Sequence, residues 1–230
     1  MDFFDELQAA TAQERQTLFS LPVIREALAG DVSLESYRAF LTQAYYHVRH
    51  TVPLLMTCGA RLPARLEWLR GAVCEYIEEE YGHEKWILDD IKACGGDAEA
   101  VRDGQPSMAI ELMVGYLYDL IARGNPVGLF GMVNVLEGTS IALATQAAST
   151  LQQRLELPES AFSYLSSHGA LDIGHMDTYR DLMNRLEDPE DKKAVIHASK
   201  VVYHLYSEMF RGLPRSQSRP TATEVRHAAV

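Results

Sequence analysis

The chain has 230 residues, 47% hydrophobic and 23% charged, the balance of a globular protein long enough to bury a sizeable core within one domain. A formal net charge of −11 argues against nucleic acid and anionic membranes as partners, because both call for clustered Lys and Arg. No apolar run of about 18 residues is expected to span a bilayer. The acidic, amphipathic start MDFFDELQAATAQERQ does not read as a secretory leader, so the expected location is the cytoplasm. Cys58, Cys74 and Cys94 lie far apart without a C-x-x-C pair, which suits reduced thiols serving as small buried hydrophobes.

Helical periodicity dominates, and no segment alternates as a strand does. A first helix is predicted over about 2–18, and a second over 22–29 is stopped by Gly30. Ser33 opens the next, about 34–61, with Ser36 where a capping box has Glu, so a weak cap is expected, with a kink at Pro53. Further helices are predicted at about 63–93, stopped by Gly95-Gly96, and at 106–123, 126–154, 158–186 and 188–211. The turns between them are short, with no linker and no internal repeat. The expected fold is an all-α, compact single-domain bundle of seven to eight helices over 1–212. The stretch LPRSQSRPTATEVRHAAV, 213–230, loses apolar periodicity and reads as a flexible tail.

Three helices carry groups that an ordinary core does not need. In SSHGALDIGHMDTY, 166–179, His168, Asp172 and His175 stand at i, i+4 and i+7, within an arc of about 60° on one helix face. In CEYIEEEYGHEKW, 74–86, His83 follows Glu79 by four residues and Glu80 by three, so either pair shares a face of a continuous helix. In GMVNVLEGTSIALATQAAS, 131–149, Glu137 is the only acid in a long apolar stretch, where burial demands a cation or hydrogen-bond donors. Each has an ordinary reading as a solvated face. Together they form the inventory of a dinuclear carboxylate–histidine centre, with nitrogen and oxygen donors that suit iron or manganese.

The order EEEYGH, VLEGTS and H-x-x-x-D-x-x-H resembles the haem-oxygenase-like diiron oxidases, which share a helical fold with thiaminase II and pyrroloquinoline-quinone synthase; the resemblance runs from about residue 10 to 211. It implies an iron-dependent oxidoreductase holding two Fe(II) ions, with O2 as co-substrate. The implied ligands are Glu79 or Glu80, His83, Glu137, His168, Asp172 and His175. Relatives often place several residues between the paired acids and the His, whereas here only Tyr81 and Gly82 intervene, and Gly82 can distort the helix. The nucleophilic Cys of thiaminase II has no counterpart beside Glu137, and no His precedes His47 to serve as a haem ligand.

Gln43, Tyr46, His47 and His50 on the YYHVRH helix are candidates for lining a substrate cavity, and Tyr76 is a candidate hydrogen-bond donor to the ligands. The expected substrate is a small amino-acid-like or fatty-acid-like metabolite, with an external electron donor and a homodimer as further expectations. Two other readings fit the same residues: a metal-free acid–base enzyme of this fold, and a non-catalytic helical protein that binds a small organic ligand.

Overall fold

The computed structural model describes residues 2–215, and for 144–146 and 168–174 the backbone alone. Among the described residues twelve α-helices follow one another: α1 Phe3–Ala10, α2 Ala12–Phe19, α3 Pro22–Ala29, α4 Leu34–Val48, α5 Thr51–Arg61, α6 Glu67–Glu80, α7 His83–Ala93, α8 Ala98–Asp103, α9 Met108–Arg123, α10 Phe130–Leu155, α11 Ser163–Asn184 and α12 Pro189–Arg211. Single 3-10 turns precede α6, α10 and α11. Among the described residues there is no strand.

The count exceeds the seven to eight expected, because three long predicted helices are each broken. The first breaks at Thr11, whose hydroxyl donates back to the Leu7 carbonyl at 2.8 Å. The third breaks at Arg49–His50, so Pro53 does not kink a helix interior but stands in the first turn of α5, where its missing N–H is not needed. The fourth breaks at Tyr81-Gly82, where Gly82 takes φ +96°, a left-handed conformation that glycine adopts without strain. The short α8 is new, and Asp97 caps it by accepting from the amides of Glu99 and Ala100. Ser33 also caps α4 fully, accepting the Ser36 N–H at 3.0 Å, so a Glu at that position is not required.

The core is organised around α10, which packs on α3, α11 and α12. Gly131 sets the closest approach: a Cβ there would lie 2.6 Å from both the Ser199 nitrogen and the Val195 oxygen, so the α10 and α12 backbones touch. Tyr179 of α11 donates to the Phe130 carbonyl at 2.8 Å and fixes the third helix to the same end. By length and composition Pro126–Leu143 would suffice to cross a membrane, contrary to the expectation that no run would, but most of it is buried inside the bundle, as in a core helix.

Cys58 and Cys94 are buried, and burial pushes their thiols up to about 12 and about 11, Cys94 helped by Asp90. Cys74 is exposed, which corrects its expected place in the core: it falls on the outer face of α6. Leu213 is buried, and Pro214 and Arg215 are tied to Ser36 and Glu26, while residues 216–230 of the expected tail lie outside the described residues.

Replacing Gly131 with Ala should lower stability by about 1–3 kcal/mol, because the methyl group meets backbone that cannot yield. Denaturant unfolding should show an earlier midpoint with an unchanged slope.

Candidate metal centre

Glu137 stands in the second turn of α10 and is 9% exposed, so its carboxylate lies in the bundle interior. Carboxylate–imidazole contacts link it to α11, α11 to α6, and α6 to α7. His175 of α11 places Nδ1 3.9 Å from Glu137 Oε1 and Nε2 3.3 Å from Glu79 Oε2. His83, the first residue of α7, places Nδ1 3.2 Å from Glu80 Oε2. The left-handed turn at Gly82 achieves this contact, not the continuous helix expected from spacing. Glu79 and Glu80 each meet a different imidazole. Their side chains differ in setting, Glu79 being 50% exposed and Glu80 10%.

Aromatic rings hold the imidazoles. His83 stacks on Trp86 with centroids 4.0 Å apart, and the Tyr76 ring lies 6.0 Å from that of His175. Burial, then the charge of Glu137, pushes the Tyr76 hydroxyl far above its usual range, as it does for Tyr179, so both remain protonated donors. The candidate donor Tyr76 lies beside His175 and Glu137.

Asp90 couples the helices that carry His83 and His175. From α7 its buried carboxylate accepts from the backbone amides of Ser163 and Tyr164, at 3.0 and 2.9 Å, and so caps α11. Burial raises its pKa against the lowering effect of those two bonds. The side chains of His168 and Asp172, earlier on α11, lie outside the described residues.

Among the described residues no three His, Cys, Asp or Glu side chains are arranged to hold a metal ion. The donor set nonetheless suits iron in kind, being imidazole nitrogen and carboxylate oxygen without thiolate. Contacts of 3.2 to 3.9 Å between the donors also match the spacing of neighbouring ligands, about 3 Å or slightly more for metal bonds of about 2.1 Å. Glu80 and Glu137 are moreover two carboxylates largely removed from water, whose charge a cation would offset.

A cavity of about 150 Å³ leads away from this cluster, with Tyr76, Glu80, Glu137 and His47 at one end. Three contacts order its walls along its length. The His47 ring meets Tyr206 edge-on at 5.8 Å, Phe40 stacks on Phe210 at 5.9 Å, and Ser36 donates to the Pro214 carbonyl at 2.5 Å. The end of α12 thus runs antiparallel to α4, and the wall turns from polar to apolar along both.

Of the other expected lining residues, Gln43 is used elsewhere, accepting the Ser107 N–H that opens α9 at 2.8 Å. Tyr46 packs on Tyr45, and His50 meets the Tyr118 hydroxyl at 3.2 Å; neither lines the cavity. The same helix face cannot reach both α9 and the cavity. Thr139, Ser140 and Tyr206 line it without having been singled out; the hydroxyl pair two and three residues after Glu137 in LEGTS was the available signal.

The fold is haem-oxygenase-like. A domain of unknown function with a heme oxygenase-like fold from Shewanella denitrificans superposes with a TM-score of 0.79 at 24% identity, covering 92% of this chain and 91% of that one. Heme oxygenase from Leptospira interrogans gives 0.76 at 20% identity over 93% and 100%, and a TenA homologue from Pseudomonas syringae 0.77 at 10% over 91% of each. Comparison with curated proteins finds no matching sequence. Residues 38–207 match the profile of the haem-oxygenase-like family described as iron-containing redox enzyme, and the chain belongs to that family.

Asp90→Ala strips the acceptors from two amides at the start of α11 and should cost about 1–3 kcal/mol. A fall in Tm of several degrees, about 2–4 °C for each kcal/mol, is the expected result in a thermal melt.

Proposed function

We propose that the protein is an O2-dependent, non-haem diiron oxidase or oxygenase acting on a small metabolite. The observation that carries this reading is that Glu80 and Glu137, each paired with an imidazole (His83 and His175), both line one largely apolar cavity. Iron would be held by Glu79, Glu80, His83, Glu137 and His175, joined by His168 and Asp172 from the same face of α11. Seven donor groups exceed what one ion with an open position takes, which favours two ions. Bound iron supplies the activation of O2.

The chain's own residues account for the remainder of the chemistry. Leu136, Leu143, Phe40 and Phe210 exclude water from the cavity and place substrate against the cluster. Tyr76, kept protonated by burial and by Glu137, presents a hydroxyl proton at the cavity wall beside His175. His47, buried and braced by Tyr206, lines the same cavity. The substrate reaches the site as a free small molecule in the cytoplasm, and an external reductant is the partner such chemistry requires.

Anaerobic Fe(II) titration should show uptake of about two ions per chain. Glu137→Ala and His175→Ala should each abolish most of it while circular dichroism stays unchanged. Mixing the loaded protein with O2 should give a transient visible absorption that His168→Ala lacks. Wild-type protein that takes up no iron would defeat the proposal and leave the metal-free acid–base enzyme of the same fold, or the non-catalytic ligand-binding protein.

A further inference from the structure

We propose that Trp86 is the point at which electrons enter the metal centre, from a one-electron donor with a positively charged face that docks at the corner between α6 and α7. The inference rests on the diiron reading and adds to it the route and the charge of the external reductant.

The side chains of Glu80, His83, Glu137 and His175 are 6 to 12% exposed, so a carrier protein has no direct access to them. An electron from outside has to cross at least one layer of protein. Trp86 spans that layer in a single residue. Its ring stacks on the His83 imidazole, with centroids 4.0 Å apart and planes 24° from parallel, while the residue itself is partly exposed. Rings stacked in this way bring their π systems into direct contact, so the solvent-facing ring and the imidazole are joined without a gap. Tyr76, the ring beside His175, is 4% exposed and gives no such outlet.

The neighbouring surface suits contact with another molecule. Tyr81, in the turn between the two helices, is 71% exposed, and Lys85 Nζ lies 5.4 Å from the centre of its ring. Aromatic residues are enriched where proteins meet, and a bare tyrosine is costly to leave in water without such a use. Charge sets the sign of the partner. Glu75, Glu78 and Glu79 are exposed on α6, and Lys85 is the only Lys or Arg between residues 74 and 91. The whole chain carries −11, so this corner repels an acidic carrier and steers a basic one. In each encounter one electron leaves the reduced donor and, by way of Trp86 and His83, converts one Fe(III) to Fe(II). No bond forms or breaks, and a second encounter reduces the second ion.

The test is anaerobic stopped-flow reduction of the Fe(III)-loaded full chain by two viologen radicals of matched chemistry, the methyl viologen cation and the anionic propyl viologen sulfonate. Bleaching of the blue radical gives the rate, and iron content and the ferric spectrum are measured for every variant. Trp86→Leu should slow reduction by both donors several-fold at unchanged iron content and spectrum, while Trp86→Phe, which keeps a stacked ring, should recover most of the rate. The cationic donor should react faster than the anionic one, by a ratio that shrinks as salt is added. Glu75→Gln with Glu78→Gln should narrow that ratio, whereas Glu187→Gln with Glu190→Gln, two exposed acids at the turn between α11 and α12, should leave it; this arm serves if Trp86→Leu does not fold or load. A wild-type rate in iron-replete Trp86→Leu, or a charge preference that the Glu75 and Glu78 changes do not move, would overturn the proposal and leave the diiron reading. Wild-type protein that takes up no iron would defeat both together.

Discussion

Glu137 is buried in the second turn of the bundle's central helix, preceded by Val135 and Leu136. An ionised carboxylate in such a place is tolerable only if other groups converge on it. The convergence is built from three directions at once: α6 supplies Glu79, Glu80 and Tyr76, α7 supplies His83, and α11 supplies His175. None of these helices could slide or rotate by a residue without stranding a charge. Polar matching along a chain of contacts therefore couples four helices.

The supporting framework acts at a distance from that point. Gly131 brings the backbone of α10 against α12, so the helix that carries Glu137 is anchored one and a half turns before it. Asp90 ties the start of α11 to the helix that carries His83. The apolar cavity occupies what remains between α4, α10 and the end of α12, and its polar end is set by the same cluster. The site and the cavity are thus two results of one packing arrangement.

Much of this was legible from residue order. Periodicity shows the all-α architecture because amphipathic faces leave a plain pattern, and Glu137 stands out because its neighbours are all apolar or small. Helix breaks were less visible. Arg49–His50 and Thr11 carry no glycine or proline, and tertiary packing decides there what local propensity leaves open. Pro53 drew attention away from the true break, since a proline in a first turn looks in sequence like one in an interior. Gln43 and His50 share helical spacing with His47, but spacing alone does not say which neighbour each face meets, and theirs is α9.

The glycine turn between Glu80 and His83 has a further meaning for how such a centre can vary. In an unbroken helix, inserting one residue rotates everything beyond it by about 100° and would carry a ligand out of the site. With φ of +96° at Gly82, α6 and α7 are separate rods joined by a two-residue turn, and the orientation of one is not imposed on the other. Residues added at Tyr81-Gly82 would enlarge a surface loop while both ends stayed docked on the bundle. The separation of the acidic pair from its histidine is therefore the part of the motif freest to drift, even though the contact it makes is among the tightest in the site.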